Sequence, residues 1–184
     1  RKIMVKAMKA VGKGDRDEAK TLFEELGTKA RAISIIDDLQ NYIIEHKESV
    51  SAESIVKFAL YTLYNTKDRE SLKFALSMLE LVKLDDDNLK DILRILGLSD
   101  EFTLFVIFIM QQWENANEEI FRLARKTKGW GRIHAIERLI PDTPAIRDWL
   151  LRKGIFNNVL PAYSALNCWE GSGAENLFFA PGIV

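Results

Sequence analysis

Phe74-Ala75-Leu76-Ser77-Met78-Leu79 is the stretch that decides the fold. It sets a small Ala before a large apolar residue, with a Leu four positions after the Ala. The phrase returns as Phe58-Ala59-Leu60-Tyr61-Thr62-Leu63, as His134-Ala135-Ile136-Glu137-Arg138-Leu139 and as Pro161-Ala162-Tyr163-Ser164-Ala165-Leu166. On a helix, residues four apart share a face. A small residue on that face lets a neighbouring helix come close, and its recurrence means that the close approach is repeated along the chain. One helical phrase recurring in this way is the signature of stacked helical repeats.

Outward from these copies the chain reads as helix throughout. It has no Asn-Gly hairpin and no sustained alternation of apolar and polar residues. Four prolines and ten glycines act as punctuation. The pattern predicts helices over 1–11, 15–27, 28–46, 51–65, 68–82, 86–97, 99–113, 115–128, 130–140, 143–153 and 157–169. Asp15, Ser51, Asp68, Ser99 and Thr143 are the expected N-caps, with Pro144 at a first helical position and Asn157 or Asn158 opening the last helix. Gly27 is expected to close the second helix. From residue 51 onward the helices pair: 51–65 with 68–82, 86–97 with 99–113, 115–128 with 130–140, and 143–153 with 157–169. Short loops make such partners antiparallel. The expected organisation is N-terminal helices over 1–50, irregular or capping, then repeats over 51–169 and a partial repeat or tail over 170–184. No single pair buries both of its faces, so stability is spread along the stack.

A net charge of −1 gives no global bias toward nucleic acid or membrane, but the charge is segregated. Arg1, Lys2, Lys6, Lys9 and Lys13 make the start basic, and Asp85, Asp86, Asp87 and Asp91 make the middle acidic. Arg122, Arg125, Lys126, Lys128, Arg132 and Arg138 form a second basic stretch. The single Cys168 cannot form an internal disulfide, which points to a reducing, cytoplasmic location. No signal peptide is read at the start. The most apolar run, Phe102 to Met110, is far shorter than the ~20 residues that span a bilayer. It reads as a buried central helix, and no membrane partner is expected.

Catalytic signals are poor. The two histidines, His46 and His134, fall in no HExxH motif, there is no cysteine pair, and no glycine-rich phosphate loop occurs. No metal and no cofactor is expected. The run Asp85-Asp86-Asp87 lacks the alternating ligands of a calcium loop and suits a helix start instead.

Gly129-Trp130-Gly131-Arg132-Ile133-His134-Ala135-Ile136-Glu137-Arg138-Leu139 resembles the second helix of a HEAT-type repeat. From about Ser51 to Trp169 the chain resembles bacterial HEAT-like α-solenoid proteins. The resemblance implies an all-α, right-handed α-solenoid of HEAT-like antiparallel helix pairs. Members of that group are mostly scaffolds and adaptors. A few are enzymes, among them HEAT-like DNA glycosylases that excise alkylated bases from a strongly basic concave face.

In such stacks the second helices line the concave face, where partners bind. The expected contact residues are Arg132, His134, Glu137 and Arg138, with Trp130 and Asn158 flanking them. His134 and Arg138 replace the apolar Phe74 and Met78 of another copy, a local exception of the kind that a binding site makes. Arg132 has a structural alternative, pairing with a nearby carboxylate such as Asp142. Trp130 lies between two glycines that would let a partner backbone approach, or it packs at a repeat junction. The expectation is a non-enzymatic scaffold or adaptor binding a protein or peptide, with an acidic or phosphate-bearing surface. The alternative is a nucleic-acid-binding solenoid, including a glycosylase using Glu137 or Asp142. The two differ in the steepness with which binding falls with salt.

Overall fold

The computed structural model describes residues 1–83 and 86–178, so Asp85 of the acidic run and Phe179 of the tail lie outside the described residues. Every regular element among the described residues is helical. They form two compact units, Arg1–Leu89 and Lys90–Val184.

In the first unit, α1 (Lys2–Lys13) and α2 (Arg16–Lys29) pack against each other, as do α4 (Ala52–Asn65) and α5 (Arg69–Leu79). The pairs also meet like on like, α1 on α4 and α2 on α5. Phe23 of α2 lies 5.4 Å from Phe58 and 5.3 Å from Phe74, ring centre to ring centre, all three fully buried. The first fifty residues therefore share one core with the two copies of the phrase at 58–63 and 74–79. The compact unit ends at residue 89. Ala59 and Ala75 have no exposed surface, as the close approach of helices requires.

Local chemistry sets most helix starts. Asp15, Ser51, Asp68 and Thr143 accept from the amides of Glu18, Ser54, Ser71 and Ile146, each satisfying an orphan donor of a first turn. Gly14 ends α1 with φ +78°, a left-handed conformation that suits glycine. The expected single helix over 28–46 is instead broken. α2 runs through Gly27 to Lys29, Ala30 is extended, Ala32–Ser34 form a 3-10 turn, and α3 (Ile36–Glu45) follows. Glu70 accounts for the break: its carboxylate accepts the Ala32 amide at 2.5 Å, which fixes Ala32, fully buried, against α5.

α6 (Asp87–Leu96) spans the boundary between the units. In the second unit, α7 (Thr103–Met110) is the apolar run, buried along nearly its whole length. α8 (Ala116–Lys126) packs on α9 (Trp130–Arg138), and α9 also contacts α7 on one side and α11 (Ala162–Ser172) on another. α10 (Pro144–Trp149) continues through a π turn, Leu150–Gly154, that packs on α11. A short α12 (Ala174–Phe178) closes the described chain. No helix among the described residues is long and apolar enough to cross a membrane.

α11 departs from the sequence pattern. Its copy of the phrase would bury Ala162 and Leu166, yet Leu166 is 66% exposed, while Ser164 and Cys168 are buried. Asn157 does not open this helix; it caps a separate turn by accepting from the amides of Val159 and Leu160. The helix begins only after Pro161, turned so that Cys168 lies under Gly154 and Ser164 bonds to Asn157.

Candidate functional site: an aromatic face on helix α9

α9 owes its position to a close internal approach at its start. A Cβ on Gly129 would lie 1.9 Å from a carboxylate oxygen of Asp100, so any other residue there would have to displace that side chain. Asp100 also accepts the Gly131 amide at 2.9 Å, placing a carboxylate at the positive end of the helix. The two glycines around Trp130 thus serve a contact within the second unit, with Asp100 in the place of a partner backbone.

At about 100° per residue, Trp130, His134, Glu137 and Arg138 fall within one arc of about 100°. The opposite arc carries Ile133, Ala135 and Ile136, all buried. Arg132 lies about 200° from Trp130 and therefore points inward. Its Nε donates to the carbonyls of Ala124 (3.0 Å) and Thr127 (2.8 Å), and its terminal nitrogens donate to those of Phe156 and Arg125. Its guanidinium also lies 5.4 Å from the centre of the Trp149 ring. Burial pushes the Arg132 pKa down, an effect opposed by the field of Cys168. Arg132 ties the end of α8 to the 155–158 loop using carbonyls, where the sequence suggested a carboxylate such as Asp142.

The exposed arc carries an aromatic stack. The Trp130 ring lies 6.0 Å from His134 and 5.2 Å from Tyr163, tilted by 28° and 38°. Trp130 is 45% exposed and Tyr163 is 51% exposed. His134 Nδ1 is 3.3 Å from a carboxylate oxygen of Glu137, and Arg138 donates to that same oxygen at 3.1 Å. The Arg138 guanidinium also covers the face of Phe108, 5.0 Å from its centre. The Asn158 amide donates to the Lys128 carbonyl at 2.7 Å, which together with Arg132 anchors the loop beside the α8–α9 corner. That loop exposes Phe156 (63%), Val159 and Leu160.

The structure therefore groups Trp130, His134, Glu137 and Arg138, sets the Asn158 backbone beside them, and places Arg132 inside. Tyr163 was missed. A tyrosine standing where two other copies of the phrase have Leu76 and Ile136 was the available signal. Also missed was Glu119, a buried carboxylate whose oxygens accept from Arg94 and Arg122. Arg94 is in turn stacked on Trp113, 5.3 Å from its ring centre, and bonding to Glu119 raises its pKa. Glu119 Oε1 accepts from Arg94 and ties α6 to α8, while Oε2 accepts from Arg122 within α8 itself.

Chemically, the α9 face offers exposed ring surface with a carboxylate, an imidazole and a guanidinium at its edge. Such surface suits stacking and burial of apolar or aromatic groups, with polar partners at the rim. Cys168 is separate: burial lifts its thiol to about 11, opposed by a bond from Ser164 and the charge of Arg132, so it stays an unreactive thiol. No group of three or more His, Cys, Asp or Glu side chains that would hold a metal occurs among the described residues. Comparison with family models, with curated proteins and with solved structures finds no match.

Proposed function

We propose that this chain is a non-enzymatic scaffold or adaptor that binds a protein or peptide on the α9 face. In this reading the helices form a right-handed solenoid of HEAT-like antiparallel pairs, with the second helices lining the concave side. The like-on-like packing of α1 on α4 and α2 on α5 supports such a stack, as does the placing of α9 between α7 and α11. The observation that carries the function is the half-exposed Trp130–Tyr163 stack. An aromatic pair left open to water beside exposed Phe156 and Leu160 is the composition of an interface centre.

The partner that fits presents an apolar or aromatic anchor to the stack. Arg132 and Arg138 already have partners inside the chain, so acidic groups of the partner would meet the exposed Arg125, Lys126 and Lys128 at the rim. Lysate capture with and without nuclease, followed by titration of the purified partner, tests the reading. A nuclease-resistant partner bound at least about tenfold more weakly by the Tyr163→Ala protein supports it; each factor of ten is about 1.4 kcal/mol, a typical interface contribution. Equal affinity of the wild-type and Tyr163→Ala proteins overturns the assignment of this face. Recovery that disappears with nuclease and falls steeply with salt would move the function to nucleic acid.

A further inference from the structure

α1 carries Lys2, Lys6, Lys9 and Lys13, all exposed, at steps of four, three and four residues. That spacing puts all four in an arc of about 60° along about 16 Å of helix. On the other side of α1, Met4, Ala7, Met8, Ala10 and Val11 are buried in the core that α1 shares with α2 and α4. The four lysines have no ion pair with any carboxylate of the described residues, whereas Lys20, Lys29, Lys57 and Lys73 are paired within their own helices. The stripe leads to a cleft of about 480 Å³ lined by Lys13, Arg16, Ser51, Ser54 and Lys57. Glu53, paired with Lys57 at 2.6 Å, lines it too.

A rigid rod with unpaired cations on its open side is matched by a linear polyanion. Three features select among polyanions. Met4, Ala7, Met8, Ala10 and Val11 are buried and Ile3 and Val5 are only part-exposed, so the helix presents no apolar face to embed in a lipid surface. The lysine stripe itself carries no aromatic ring on which unpaired bases would stack, and the ring beside Arg16, that of Tyr61, is covered by the Arg16 guanidinium at 5.4 Å. Lysines are point charges without the forked geometry that reads base edges. We propose that the first unit binds the phosphate backbone of duplex nucleic acid along the Lys2–Lys6–Lys9–Lys13 stripe and toward Arg16, without reading sequence. The site lies in the first unit and does not rest on the α9 reading.

The test uses the full chain and a short fluorescein-labelled DNA duplex of mixed sequence, followed by anisotropy over a salt series. Wild-type protein is expected to bind with log K falling against log salt at a slope of about −4, from four to five phosphate contacts. Lys6→Glu with Lys9→Glu should weaken binding at least about tenfold and flatten the slope by about 2. Both positions are exposed, and an unchanged melting temperature shows that folding is intact. Lys6→Gln with Lys9→Gln should give a smaller loss in the same direction. Tyr163→Ala should leave duplex binding as it is. Absence of wild-type binding at about 50 mM salt overturns the proposal, as does unaltered binding by the charge-reversed protein. Poly-glutamate bound more tightly than the duplex also overturns it, and would assign the stripe to an acidic protein.

Discussion

Two arginines six residues apart in sequence do opposite work. Arg132 serves backbone carbonyls from two segments, 124–127 and Phe156, while Arg138 is shared between the Glu137 carboxylate and the Phe108 ring. A charged donor shared among several backbone carbonyls is costly to remove, so Arg132→Ala should lower stability by about 3 kcal/mol. Arg132→Lys should recover little, because an ammonium cannot span the same acceptors. Arg138→Ala should cost about 1 kcal/mol or less, as expected of a partly exposed pair. Urea unfolding of the three variants checks this, and equal losses at the two positions would contradict it. Cys168 gives a second residue-scale outcome. Its thiol titrates at about 11 in the fold, raised from an ordinary value near 9. A raised folded value favours the neutral thiol, so its contribution is complete below pH ~9 and is lost as pH rises toward 11. Stability should fall over that interval in the wild-type protein and fall less in Cys168→Ala. Thiol labelling at pH 8 should be slow until the chain unfolds; labelling of the native protein at the rate of a free cysteine would refute the burial argument.

At the scale of the element, the start of α9 depends on one glycine and one carboxylate. Gly129→Ala places a methyl on Asp100 and should cost about 2 kcal/mol. Asp100→Ala should cost about 1 kcal/mol through the lost amide bond at Gly131. The double variant should cost less than the sum, since removing the carboxylate makes room for the methyl. Strict additivity in thermal or urea melts would show that the two groups do not meet. Elements of this kind were legible in the sequence only where their causes are local. The caps at Asp15, Ser51, Asp68 and Thr143 act within three residues, and each makes its expected bond. The apolar run 102–110 buries because no polar face competes. The break at residues 30–35 was not legible, because Glu70 makes it from 38 positions away. The rotation of α11 was not legible either, since the turn capped by Asn157 and the fit of Cys168 under Gly154 outweigh the local phrase. In the candidate site, the exposed arc Trp130–His134–Glu137–Arg138 follows from helical period alone. The inward role of Arg132 needed the same arithmetic and, beyond it, acceptors from α8 and the 155–158 loop.

The whole molecule divides into two units, each with its own core. Phe23, Phe58 and Phe74 cluster in the first; Val106, Ile107, Leu123, Ile133 and Ile136 are buried in the second. If the helices form a repeat stack, as we propose, stability is a sum of local terms and need not be lost all at once. A globular fold with one cooperative core would behave otherwise. Phe74→Ala removes a fully buried ring from the first unit and should cost about 3–5 kcal/mol there. Hydrogen exchange followed by mass spectrometry separates the two cases. In a stack, the variant should lose amide protection over α2, α4 and α5 while α7, α8 and α9 keep theirs. Ile136→Ala should produce the converse pattern. Loss of protection in both units from either substitution would mean that the chain unfolds as one body. The spread of stability that a repeat architecture requires would then be absent, and with it the ground for reading α9 as one face among stacked equivalents.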